Sequence, residues 1–160
     1  MKLFFLIITF LISGCLQTYE RTESIKNVKV IPSKQDENLF SIKKKLEAKF
    51  GFNGNPEYNL YLSIVKNSAA GGLTSEAYST SFTATITVKY TLYNILEKKN
   101  IFSSSVSRST NYVSERGKFV AEKVGEKAVF ESLSARVSEE IYEQIQDRFL
   151  NINSNASPSN

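Results

Sequence analysis

Apolar and polar positions alternate almost without error from Thr80 to Tyr93. Phe82, Ala84, Ile86, Val88, Tyr90 and Leu92 fall on one side, and Ser81, Thr83, Thr85, Thr87, Lys89 and Thr91 on the other. A period of two, carried by β-branched and aromatic residues, predicts a strand with one buried and one polar face. The segment Asn94–Asn100 (NILEKKN) reverses the chain, and Ile101–Tyr112 reads as the returning strand, with Phe102 and Val106 in phase and Ser104 between them. From about Gly117 the period becomes helical and holds to Leu150. Val120, Val124, Ala128, Ala135, Tyr142 and Phe149 form one apolar stripe of that helix. Phe130, Leu133, Val137 and Ile141 form a second, with Ile145 between them. So broad a band predicts burial against more than one surface. Gly125 weakens the helix by about 1 kcal/mol relative to alanine, which marks close packing or a bend.

Upstream, Ile25–Ile31 reads as a short strand stopped by Pro32, which cannot donate to a ladder. Asp36 is placed to cap a helix over Glu37–Phe50, with Glu37 in the first turn, where the helix dipole favours it. Leu39, Ile42, Leu46 and Phe50 recur at steps of three and four, and Gly51 is a natural stop. After the turn signal Asn53-Gly54 and Pro56, Tyr58–Val65 reads as a strand with Tyr58, Leu60, Leu62 and Ile64 on one face. Asn67–Ser79 reads as a loose hairpin loop. Its Gly71-Gly72 pair is followed by no Gly-Lys-Ser/Thr and opens no helix, so it is no phosphate loop. The sum is an α+β fold in two layers: a small, mostly antiparallel sheet of about four strands, covered on one face by two helices. Residues 25–150 make this single domain, and the tail at 151–160, with almost nothing to bury, is expected to be disordered.

The first residues belong to export. Lys2 precedes an apolar run over Leu3–Ile12, too short to span a bilayer and the right length for a signal-peptide core. The run ends in Ile12-Ser13-Gly14-Cys15, which is similar to the bacterial lipobox, whose cysteine is lipidated and becomes the first mature residue. Cys15 is the sole cysteine, so it has no disulfide partner within the chain. The expected division is a signal peptide at 1–14, a lipidated tether at 15–24 and the domain thereafter. One acyl chain binds a membrane only marginally, whereas the three implied by the lipoprotein pattern hold the protein there. Leu16, rather than aspartate, follows the cysteine, which in the sorting rule of enteric-type bacteria directs the protein to the outer membrane, on its periplasmic side.

Loss of Lys2 with the signal lowers the formal charge from +4 to +3. The charges are dispersed, with no basic run interleaved with aromatics, so nucleic acid is not an expected partner. Lys43-Lys44-Lys45 reads as the wet side of a helix. The chain has no histidine, which removes His-based triads, His metal sites and imidazole acid–base chemistry. No calcium-loop spacing or cysteine cluster appears, and the acidic residues lie largely beside lysines, as in Glu122-Lys123 and Glu126-Lys127. Neither a catalytic residue, nor a metal ligand set, nor a cofactor is therefore expected, and the protein does not read as an enzyme. A hydrolase built on a carboxylate pair is the one catalytic alternative left, and the sequence nominates no such pair.

With these elements placed behind a lipobox, the sequence resembles the LPS-assembly lipoproteins of the LptE type over most of the mature chain. The best part is Tyr78–Phe149: a long alternating strand, a return strand carrying Val106-Ser107-Arg108-Ser109 and ending near Tyr112, and a helix rich in Ala, Glu and aliphatic residues. Val28–Phe50 fits as well. The family's Gly-Phe-x-Pro-Leu-Tyr-like stretch after the cysteine is replaced here by Leu16-Gln17-Thr18-Tyr19, which keeps only the tyrosine. The resemblance implies a plug seated in a large outer-membrane β-barrel of the LptD type, which helps that barrel fold and assists delivery of lipopolysaccharide to the outer leaflet. A plug needs hydrogen-bonding surface because barrel lumens are polar. Thr83, Thr85, Thr87 and Thr91 are the candidates for the partner face, with hydroxyls also from Ser103, Ser105, Ser107 and Ser109. Family members carry basic residues before the long strand and near the start of the last helix. The first set is missing from Asn67–Ser79, though Lys66 borders it, while Arg108, Lys118 and Lys123 are the candidates for contact with anionic lipopolysaccharide. The alternative is an accessory lipoprotein of another envelope system, in lipid transport or peptidoglycan-synthase activation, separated from the first by the identity of its partner.

Overall fold

The computed structural model describes residues 24–73, 79–115 and 119–156. Along these the chain runs β1 (Val28–Pro32), α1 (Glu37–Lys49), β2 (Tyr58–Leu73), β3 (Ser79–Asn94), β4 (Lys99–Glu115) and α2 (Phe119–Ala156). The strands form one sheet in the order β1-β2-β3-β4. β1 pairs parallel to β2, with Val30 opposite Leu60, so α1 is the crossover of a βαβ unit. β2, β3 and β4 continue as an antiparallel meander. Both helices lie on one side, as the alternation of β3 requires.

The core sits between those two layers. Ala84, Ile86, Val88, Tyr90 and Leu92 of β3 are buried, joined by Leu60, Leu62 and Ile64 of β2 and by Val28 and Val30 of β1. Leu39, Ile42 and Leu46 of α1, with Phe50 just beyond it, close one half of the sheet. Phe130, Leu133, Val137, Ile141 and Ile145 of α2 close the other. The helices run side by side in the same direction: Lys127 pairs with Glu37 at one end (3.2 Å) and Lys49 with Glu139 at the other (2.6 Å). Ser134 and Ser138, both buried in α2, donate to the carbonyls of Phe130 and Ser134 at 2.7 Å, so neither hydroxyl is left unsatisfied.

Local chemistry sets the ends of α1. Asp36 Oδ1 accepts from the N–H groups of Asn38 (3.0 Å) and Leu39 (3.2 Å), the cap read from the sequence. At the other end Gly51 has φ +62°. Its N–H donates to Ala48 O and that of Phe52 to Glu47 O, a Schellman closure that satisfies two helix carbonyls. The hairpin between β3 and β4 is shaped by Asn94, whose Oδ1 accepts from Leu96 and Glu97 N–H. Upstream of β1, Ile25 is buried, and Gln146 of α2 both accepts from its N–H and donates to its carbonyl (3.1 and 3.0 Å).

Three expectations change. Asn67–Ser79 is not a loose loop: β2 runs on to Leu73, β3 begins at Ser79, and only the intervening residues lie outside the described ones. The regular β3 edge pairs with this weakly strand-forming stretch residue by residue, absorbing one irregularity between Ala70 and Gly72. The final helix does not stop at Leu150 but continues to Ala156, so part of the tail expected to be disordered is helical. Extending an existing helix gains one hydrogen bond per residue fixed, and between Leu150 and Pro158 no Gly or Pro interrupts it. The first apolar stripe of this helix is not buried throughout: Val124 is 65% exposed, and Ala128 is exposed too. α1 begins level with Lys127, so the preceding turns of α2 have no helix beside them.

Asp36 also ties α1 to β2 through Lys66, whose Nζ lies 2.9 Å from Asp36 Oδ2 and 2.9 Å from Asn38 Oδ1. Burial raises the Asp36 pKa, but hydrogen bonds from Lys66 and from the Leu39 and Asn38 N–H groups, with the Lys66 charge, outweigh it. The net value lies below the usual 3.8. A carboxylate held low in the folded state adds stability that is complete above its unfolded value and lost as pH falls through its folded one. Asp36→Ala is expected to cost about 1 kcal/mol in urea unfolding near neutrality. Asp36→Asn, which keeps a cap but not the charge, should flatten the acid side of the stability profile. In the core, Ile86→Ala should cost about 2–5 kcal/mol, whereas Lys89→Ala on the opposite face should stay within about 0.5 kcal/mol.

Candidate partner-binding face

One face of the sheet carries no helix. Alternation places Thr83, Thr85, Thr87, Lys89 and Thr91 of β3 on it, and antiparallel register sets each beside a polar residue of β4. Thr83 Oγ1 donates to Asn111 Oδ1 at 2.9 Å. Hydroxyl pairs follow at Thr85–Ser109 (3.1 Å), Thr87–Ser107 (2.9 Å) and Thr91–Ser103 (2.8 Å). Lys89, opposite Ser105, interrupts the series. Rungs on one face repeat about every 7 Å along a strand. Each hydroxyl has one proton and two lone pairs, and a hydroxyl rung consumes a single proton, so each such rung keeps a donor and several lone pairs for an outside partner. Such a surface is neutral apart from Lys89 and can bond to amides, backbone or other hydroxyls.

The face is wider than the four threonines. Toward the β1 side it carries Tyr61, 43% exposed, with its ring edge-on to Tyr93 at 6.4 Å, and Val65, 63% exposed. These follow from the phase of β2: residues alternating with buried Leu60, Leu62 and Ile64 must point to the uncovered side. Val113 adds an apolar point at the far end of β4.

The basic candidates do not gather. Arg108 lies opposite Ile86 and on the helix-covered side, where its Nη2 is 2.7 Å from Glu140 Oε2. Lys123 lies in the early part of α2, 3.0 Å from Glu126. Lys123 and Glu140 are seventeen positions apart on the helix, about 25 Å along the axis. Lys118 and Cys15 lie outside the described residues. Lys66, beside the expected loop, is instead engaged with Asp36, Asn38 and the Phe130 ring (5.7 Å). It lines a cleft of about 350 Å³ with Lys123 and Lys127, and all three lysines are within ion-pair distance of a carboxylate. Among the described residues no three acidic or cysteine side chains converge as a metal site, and no helix is long and apolar enough to cross a membrane.

This architecture recurs in solved structures. Rare lipoprotein B from Shewanella oneidensis superposes with a TM-score of 0.59 at 10% identity, over 79% of this chain and 98% of that one. Lipoprotein B from Nitrosomonas europaea gives 0.56 at 7% identity, over 85% and 92%. A minor lipoprotein from Acinetobacter baumannii gives 0.50 at 15% identity, over 74% and 94%. No family model matches the chain, and neither does any curated protein sequence. The chain thus shares its fold with bacterial lipoproteins.

The rungs are partly exposed, so their hydrogen bonds compete with water and add little to stability. Thr85→Val combined with Ser109→Ala should change the unfolding free energy by less than about 1 kcal/mol, read by urea titration.

Proposed function

We propose that the protein is an outer-membrane lipoprotein, anchored through Cys15, that seats inside a β-barrel translocon of the LptD type. It helps that barrel assemble and supports delivery of lipopolysaccharide to the outer leaflet. The observation that carries the reading is the uncovered sheet face with its series of cross-strand hydroxyl pairs. A barrel lumen is lined by polar side chains and excludes an apolar plug. A surface of donors and acceptors whose one charge among the rungs is Lys89 meets that demand. The lipobox, the resemblance to LptE-type lipoproteins and the fold shared with bacterial lipoproteins support the same assignment. The role is structural rather than enzymatic.

Contact with lipopolysaccharide, in this reading, belongs to Lys118 and Lys123 near the start of α2. Arg108 adds a contact only by exchanging Glu140 for a lipid phosphate. The test is purification from detergent-solubilised outer membranes through a tag after Asn160, with Cys15 native. A large, heat-modifiable barrel should co-purify in a stoichiometric amount. Recovery of the protein from outer membranes without a barrel would remove the assembly role and favour the accessory-lipoprotein alternative.

A further inference from the structure

β4 forms one edge of the sheet, and among the described residues nothing pairs with its outer side. The other edge, β1, is short and ends in Pro32, a common way of blunting an edge. β4 has one bulge, at Ile101, and one charge in its middle, Arg108, which Glu140 matches, and between Ser103 and Ser109 its ladder is otherwise regular. It is 17 residues long and contains no proline, and Ser103, Ser104, Ser105, Ser107 and Ser109 leave its backbone uncrowded through the middle. An uncovered run of N–H and C=O groups of this kind accepts an added strand, with the hydrogen bonds supplying affinity and alternate side chains the specificity.

The surroundings select the occupant. Beside β4, against α2, runs a groove of about 720 Å³ whose charged lining is Glu139, Glu140, Glu143 and Asp147 against Arg108 and Arg136. Arg108 is matched by Glu140, and Glu139 by Lys49, while Glu143 and Asp147 have no ion-pair partner among the described residues. Arg148, nearby, stacks over Phe102 at 5.5 Å. With those pairs cancelled, Glu143 and Asp147 stand against Arg136 alone in the lining, an excess of one negative charge, placed at the Glu143–Asp147 end about two to three helical turns beyond Arg136. A second copy adding β4 to β4 about a two-fold axis normal to the sheet would place both α2 helices on the same side. Their carboxylates would then face each other across the seam. A cationic strand meets the opposite sign.

We infer that the β4 edge is a strand-addition site for an extended segment of a partner protein, with lysine or arginine at alternate positions directed over Glu143 and Asp147. The inference concerns the edge rather than the uncovered face and stands apart from the barrel reading.

The probe is a blocked peptide alternating lysine with threonine, added to the full-length chain in detergent while amide exchange is followed. Exchange of β4 amides between Ser103 and Ser109 should slow by about tenfold, equivalent to about 1.4 kcal/mol. A peptide alternating glutamate with threonine should give no protection, and the Glu143→Lys, Asp147→Lys double variant should reverse that preference. Both positions are exposed, so the variant should retain the fold, checked by its circular dichroism. Spermine carries the charge but has no peptide backbone to pair, and should protect nothing. Equal protection by spermine or by the glutamate peptide, or none from the lysine peptide at millimolar concentration, would overturn the inference. So would protection that rises with protein concentration alone, which would assign the edge to a second copy.

Discussion

The structure depends on one constraint: the side chains of β3 alternate, and only one of the two resulting faces is apolar. Ala84, Ile86, Val88, Tyr90 and Leu92 have to leave water together, while the intervening threonines do not. Burying a large apolar side chain contributes about 1.5–3 kcal/mol, so the covering layer forms wherever these residues point. A single helix about 10 Å across cannot cover four strands. Two are needed, and α1 and α2 divide the sheet between them. The helices share one core, and exposed ion pairs, Glu37 with Lys127 and Lys49 with Glu139, match their ends. These exposed pairs orient more than they stabilise.

The same alternation explains why so much was readable from sequence. Strong period-two and helical patterns gave β3, most of β2, α1 with its Asp36 cap, and the core stripe of α2 from Phe130 to Ile141. Where the pattern was weak, the outcome was decided by neighbours. Residues 67–73 have poor strand propensity, yet β3 provides a regular edge and they pair with it. Val124 belongs to an apolar stripe, but burial requires an opposing surface, and α1 does not reach that far. The end of α2 lacked a local stop and therefore passed Leu150.

The candidate sites divide along the same line. Which threonines share a face follows from parity alone, and so does the company of Tyr61 and Val65. That each threonine meets a hydroxyl or amide across the ladder depends on the β3–β4 register, set by a turn whose length the sequence does not specify to the residue. Arg108 shows the converse. It lies in the same strand as the polar serines but has the opposite parity, which turns it toward Glu140 on the covered side. The strand edge of β4 was not visible at all, because strand order is a property of the assembled sheet.

The uncovered sheet face as the surface that meets a barrel is the central claim, and crosslinking in intact cells tests it most directly. A photo-reactive residue placed singly at Thr85, Ser107 or Tyr61 is predicted to crosslink a heat-modifiable outer-membrane barrel, while the same residue at Ser132, exposed on α2, is not. Crosslinks to the barrel from Ser132 with none from the sheet positions would contradict the account, because the partner would then sit on the helical layer.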